Sequence, residues 1–331
     1  MYIDWHSEKT KRVYTSIIFV AILAAAFGLR FLTVWIFDVF IIAFAMLAVY
    51  EVAKAKQLES RGVSVYYLLS YIVMAYTMFV IGIATGFSWW LHLVMQGTTI
   101  FIFTFYTMIM NYMDRDFAKE VTLKKGSLTE SSARTGWEFL KVVFYPFFFL
   151  FTLVFLNHLG SSAYVLPFAG AVDTVPALQV SLLGLLLVFM VSCFSDTFAY
   201  ITGRILKGPK LCPKISPGKT ISGFVGALFG GVIGALLTLL IVVRDGSLLQ
   251  VFLTEQIGDS AAVQLTFAFL GFFGAMLTHA GDIYASWLKR RCNIKDFGKI
   301  LPGHGGVMDR FDGISWNAVF VFLVFLIFVF M

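Results

Sequence analysis

Charge is scarce in this sequence. Only 13% of its residues are Asp, Glu, Lys or Arg, against about 25% in soluble domains. Apolar residues make up 59%, and Phe alone occurs 37 times. Such a supply cannot cover a water-facing surface, so a soluble globular fold is excluded and lipid is the solvent for most of the chain. Cysteine is scarce as well. Cys193, Cys212 and Cys292 show no C-x-x-C spacing, which argues against a disulfide framework and a cysteine zinc site. They read as reduced bystander thiols. Internal repeats and low-complexity tracts are absent. The net charge of +6 then speaks of membrane topology and anionic partners, not of nucleic acid.

What the chain has is apolar runs. Nine are long enough for a bilayer, which takes roughly 17–25 residues: 13–29, 31–50, 65–83, 89–111, 142–159, 178–201, 221–243, 265–285 and 314–331. The expected fold is therefore an all-α polytopic membrane protein with about nine transmembrane helices and a cytoplasm-facing polar site. Lys9, Lys11 and Arg12 before the first run, and Ala24 to Ala26 within it, imitate a cleaved signal peptide. The second run follows at once, so a retained helical hairpin is expected. With the N-terminus in the cytoplasm, every basic residue except Arg30 and Arg244 falls on the inside, the asymmetry that sets orientation in such proteins. An inner or plasma membrane location follows as the expectation.

Three inside segments are long. Residues 112–141 are polar and mixed in charge, and suggest an amphipathic helix on the membrane surface. Residues 202–220 carry Pro209, Pro213 and Pro217 and are expected to be irregular. Residues 286–313 carry Gly298, Pro302, Gly303, Gly305 and Gly306 and are expected to be a loop of tight turns. The outside segment 157–177 is almost uncharged. As domains, 1–141 is expected to be a scaffold of membrane helices with a cytoplasmic linker and surface for a homodimer. Residues 142–331 are expected to form the catalytic membrane domain.

The last inside segment gathers three ingredients. Lys289, Arg290, Lys295 and Arg310 are cations that pair with phosphate. Gly305 and Gly306, beside His304, let backbone N–H groups approach an anion. Asp309 and Asp312 lie one helical turn apart and can face one hard cation, with Asp282 four residues before Ser286 to complete the set. Cations, glycines and clustered carboxylates are what a nucleoside triphosphate with its metal requires. Upstream, Ser195 and Asp196 lie within an apolar run, where an ionisable group costs about 2.5–3.5 kcal/mol unless paired or wetted. Arg204, Lys219 and Thr220 follow as further phosphate-binding candidates. Lys219 and Thr220 imitate a P-loop, but Pro213 stands five residues before Gly218, so the G-x-x-x-x-G-K-[ST] spacing is absent. His279, three residues before Asp282, is expected to be a packed core histidine, with a place on the Asp282 helix face as the alternative, and Glu51 an interfacial cap, with an active-site neighbour as the alternative.

Residues 286–312 fit, without a gap, the signature S-x-x-K-R-x4-K-D-x-[GSA]-x2-[LIF]-[PG]-x-H-G-G-x-x-D-R-x-D. The chain thereby resembles the phosphatidate cytidylyltransferase (CDP-diacylglycerol synthase) family. The S-D-T-F-A-Y, G-R and I-S-P-x-K-T elements at 195–200, 203–204 and 215–220 look like the same family. The likeness covers about 192–313, and the first half matches in hydropathy alone. It implies the reaction CTP + phosphatidate → CDP-diacylglycerol + diphosphate, with membrane lipid as substrate. It also implies a metal centre at Asp282 and Asp309 with Asp312 close by, holding Mg2+, with K+ as a second candidate. An in-line attack of the lipid phosphate on the CTP α-phosphorus needs no protein nucleophile, so positioning and charge stabilisation would carry catalysis. Two positions depart from the family: Ala285 and Ser222 stand where Glu is common. Loop chemistry alone leaves open a related CTP-dependent membrane lipid transferase, a CDP-archaeol synthase or a polyprenol kinase. An ion-coupled transporter using Asp196 and Asp282 as a relay is the reading from another class.

Overall fold

The computed structural model describes residues 8–58, 63–85, 89–113, 128–159, 177–301, 303 and 305–330. Helices dominate it: α1 (Glu8–Arg30), α2 (Val34–Ala55), α3 (Val65–Thr85), α4 (Trp89–Met113) and α5 (Leu128–Val142). A π-helical turn (Val143–Phe148) leads into α6 (Phe149–His158), then α7 (Ala177–Leu206). Strands β1 (Lys210–Cys212) and β2 (Ser216–Thr220) are followed by α8 (Ile221–Val242), α9 (Leu248–Ile257), α10 (Ser260–Arg291) and α11 (Met308–Phe330).

Each expected apolar run falls on a helix. Among the described residues, however, seven helices are long and apolar enough to cross a membrane, not nine. The apolar stretches Ile17–Arg30 and Val94–Met110 are shorter. The chain is a multi-pass membrane protein. Phe229, Leu240 and Leu265 are exposed, as lipid-facing side chains must be.

Two local expectations need correction. The 202–220 segment is not irregular throughout: α7 runs on to Leu206, and β1 and β2 pair antiparallel with Lys210 opposite Thr220. The proline-bearing stretch forms the hairpin, as no helix could continue through it. The 286–313 segment is not all loop either. Helix α10 continues to Arg291, with Lys289, Arg290 and Arg291 in its last turn, where cations suit the helix dipole. It closes with Asn293 in the left-handed region (φ 56°), Asn293 N donating to Arg290 O and Ile294 N to Lys289 O, a Schellman closure. Between the spans 221–243 and 265–285 lies α9, a ten-residue helix capped by Ser247 Oγ accepting from Gln250 N at 3.2 Å.

The chain divides into two compact units, Met1–Phe151 with Asp296–Asp309, and Thr152–Lys295 with Arg310–Met331. In the first, the Tyr71 ring meets Phe103, Phe139 and Phe147 edge-on at 5.4–6.0 Å between centroids, a favoured aromatic geometry. Glu138 on α5 accepts from Lys56 and Lys141, both at 2.8 Å. Arg30, one of the two basic residues off the inside pattern, is buried with Asp38 as its electrostatic neighbour. It is an internal group, not a topology marker.

In the second unit α7 and α8 pack backbone to backbone. A Cβ at Gly230 would lie 2.5 Å from Phe194 O, and one at Gly234 2.7 Å from Met190 O. On the other side of α8, Gly231 closes against Gly271 of α10. Small residues are how helices approach in lipid, where no hydrophobic force drives them together. A buried polar thread ties the same helices to α11. Asn317 Nδ2 donates to Val188 O (3.0 Å) and Ser192 Oγ (3.2 Å), and Ser192 Oγ meets Thr278 Oγ1 at 3.2 Å.

Candidate active site

The second unit gathers charged side chains around one cavity. Helix α7 carries Ser195 beside Asp196, and Asp196, Tyr200 and Arg204 lie on successive turns. Ser195 is fully buried, its Oγ without a partner among the described residues. Asp196 and Arg204 are exposed into an open cavity of about 650 Å³. Arg204 Nη1 donates to Tyr200 Oη at 2.7 Å. The absence of a side chain at Gly203 is what lets α8 start here. A Cβ there would sit 2.9 Å from Thr220 Oγ1, which caps α8 by accepting from Gly223 N at 3.1 Å. Ser222, one of the two departures from the resembled family, braces this corner: its Oγ accepts from Gly208 N at 3.3 Å and lies 3.2 Å from Thr220 Oγ1. Ala285, the other departure, is fully buried.

β2 delivers Lys219 to the same cavity, and α10 delivers His279 and Asp282. Lys219 Nζ donates to Asp282 Oδ2 at 3.1 Å. Asp312, in the first turns of α11, is an electrostatic neighbour of Asp282. Its Oδ1 accepts from Gly313 N at 2.9 Å, and its Oδ2 is 4.0 Å from Lys289 Nζ. Lys219, Asp282, Asp312 and Lys289 thus form an alternating chain of charges. Asp196, His279 and Asp282 each offer a ligand atom, all within 4.8 Å of one another. Arg204, Lys207 and Lys210 line the cavity as well, so cations and carboxylates share one chamber. Arg290 is turned elsewhere, donating from Nε to Ile215 O (3.5 Å) and from Nη1 to Ile294 O (3.3 Å). Lys295 and Arg310 are exposed.

The glycine-rich stretch belongs to the first unit. There it wraps two buried carboxylates. Asp309 Oδ2 accepts from Phe297 N and Gly306 N, both at 2.9 Å. Glu51, from α2, accepts from Val307 N at 3.0 Å and Met308 N at 2.9 Å, the first amides of α11. Those donors have no intrahelical acceptor, so a carboxylate suits them. A Cβ at Gly298 or Gly306 would run into Glu51, and one at Gly305 (φ 86°) would come within 2.7 Å of Asp309 Oδ2. The glycines thus serve internal carboxylates, beyond any bound anion. Pro302 and His304 lie outside the described residues.

Of the expected residues, Asp196, Arg204, Lys219, Thr220 and Asp282 share the cavity wall, with Asp312 an electrostatic neighbour of Asp282 and Lys289 beside Asp312. Two residues expected to be bland do more. His279 joins the carboxylates, and its signal was the three-residue spacing from Asp282. Glu51 anchors the loop, and its signal was an acid at the end of an apolar run.

Compared with known proteins, residues 10–328 match the family model described as the cytidylyltransferase family. Over 141 residues the chain is 39% identical to the phosphatidate cytidylyltransferase of Rickettsia felis, covering 42% of this chain and 57% of that one. Over 135 residues it is 38% identical to the phosphatidate cytidylyltransferase of Brucella abortus, covering 41% and 44%. The matched stretch spans about half the length of the curated relatives.

Proposed function

The chain belongs to the cytidylyltransferase family, and on that premise we propose that it is a phosphatidate cytidylyltransferase of the inner or plasma membrane, working on its cytoplasmic face. The proposed reaction is CTP + phosphatidate → CDP-diacylglycerol + diphosphate. The observation that carries it is the alternating chain Lys219–Asp282–Asp312–Lys289 beside a basic cavity. Likeness to relatives so named favours phosphatidate over a polyprenol as the acceptor.

The donor set fits a hard divalent cation. Asp282 and Asp312 bring two carboxyls together, with Asp196 near Asp282, and Lys219 and Lys289 are their ion-pair partners among the described residues. Asp196, Asp282 and Asp312 would hold Mg2+. We assign Asp309 to shaping the loop through Phe297 and Gly306. When bound, the ion supplies neutralisation of phosphate charge and alignment of the entering and leaving oxygens.

The chain's own residues do the rest. Arg204, Lys207 and Lys219 hold the triphosphate by charge-assisted hydrogen bonds. Lys219 is the pivot, since its ammonium now sits on Asp282 and can transfer to a phosphate oxygen. Lys289, Lys295 and Arg310 are the cations proposed for the lipid phosphate and the departing diphosphate. No side chain has to act as nucleophile, because phosphatidate is already an anion. Rate then comes from positioning and from fixed charge lining the cavity.

Purified protein should release diphosphate from CTP only when phosphatidate is supplied. Asp282→Asn should lower that rate by about a hundredfold or more, the scale of losing one electrostatic element of a transfer site. Diphosphate release that ignores the lipid, or is indifferent to Asp282→Asn, contradicts the reading.

A further inference from the structure

His279 has no task in the reaction just described. It sits on α10 one turn before Asp282 and is 4% exposed. Its Nδ1 is buried and has no hydrogen-bond partner among the described residues. Buried polar atoms are nearly always satisfied, so one left over at a cavity wall points to a missing partner. The ring is held beside Phe224, with centroids 5.7 Å apart and planes at 55°. Packing therefore fixes the imidazole without using its polar atoms.

The missing partner is defined by what else is there. One imidazole nitrogen and one oxygen each from Asp196 and Asp282 lie within 4.8 Å of one another. Three ligands spread evenly around one ion at ~2.2 Å lie ~3.8 Å apart, so atoms within 4.8 Å of one another need to close in by up to about 1 Å to share a cation. All three residues line the same cavity, so an ion has an entry path.

We propose that His279 is a further ligand to the ion held by Asp196 and Asp282, added to the carboxylates already assigned, and that its imidazole raises this site's affinity for first-row transition cations relative to Mg2+. Imidazole is a borderline donor that suits the later divalent metals, whereas Mg2+ demands oxygen and keeps its waters. An all-carboxylate site would show little such discrimination by ligand type. The inference deepens the metal site of the proposed function and rests on that reading only for the presence of an ion. It does not depend on which lipid accepts the nucleotide.

The test uses purified full-length protein in detergent, with Mn2+ as a paramagnetic probe and Co2+ and Mg2+ as titrants. Pulsed EPR of the Mn2+ form should show coupling to an imidazole 14N nucleus. In His279→Gln, which keeps volume and polarity, the coupling should vanish. Co2+ should bind the unaltered protein about tenfold or more tighter than Mg2+, and the gap should narrow in the variant. Bound Mn2+ without 14N coupling overturns the proposal. So does coupling that survives in His279→Gln, because another nitrogen then holds the ion. Absence of any Mn2+ binding overturns it too. Diphosphate release with Mg2+, CTP and phosphatidate is followed in the same preparations. Activity without 14N coupling removes the imidazole ligand and leaves the proposed reaction standing. Coupling without lipid-dependent release does the opposite.

Discussion

At the scale of the residue, the carboxylates divide by what faces them. Asp282 and Asp312 face ammonium groups and each other, while Asp309 and Glu51 face backbone amides. Sequence spacing alone cannot make that division, because Asp309 and Asp312 are one turn apart and chemically identical. The residue types at the site were legible, as was the pull of Asp196 in an apolar run. The partner of Glu51 was not, since it lies more than 250 positions away in sequence. The role of Glu51 has a direct check. Glu51→Gln replaces one acceptor by a donor aimed at an amide, at a cost of about 1–3 kcal/mol. Hydrogen exchange at Val307 and Met308 should speed up roughly ten- to hundredfold. Unchanged exchange there would show that Glu51 does not hold the loop.

At the scale of the element, hydropathy placed the helices, and their ends escaped it. Helix α10 outruns its apolar stretch because Lys289 to Arg291 stabilise its C-terminal turn and Asn293 closes it. Apolarity ends where lipid ends, and helix does not. The β1–β2 hairpin was hidden for a related reason: its pairing joins residues across a turn, and three prolines read as disorder of pattern. The glycines of α8 looked like ordinary membrane-helix composition until their contacts were seen. Gly231→Leu should therefore separate α8 from α10 and lower the melting temperature and yield of folded protein. Gly97→Leu on α4, where a Cβ meets nothing within 4 Å, should leave both nearly unchanged. Equal effects of the two substitutions would mean that close helix approach is not what Gly231 provides.

At the scale of the whole molecule, class was the most legible property. Composition alone excludes a water-soluble fold, and the runs and helices coincide. The division into two units was not legible, because the stretch Asp296–Asp309 groups with the N-terminal helices through contacts far apart in sequence. Orientation rests on the distribution of Lys and Arg. It predicts that Cys212 and Cys292, between basic residues, react with a membrane-impermeant thiol reagent only from the cytoplasmic side. A cysteine introduced as Arg244→Cys should react only from the other side. Labelling of all three from one side would overturn the topology. The central claim concerns which phosphorus moves. CTP labelled at the α-phosphate and CTP labelled at the γ-phosphate are each incubated with the protein and phosphatidate, and the lipid is extracted. The account predicts that α-label enters the lipid and γ-label stays in water as diphosphate, while γ-label in the lipid, or no label there from either, would contradict it.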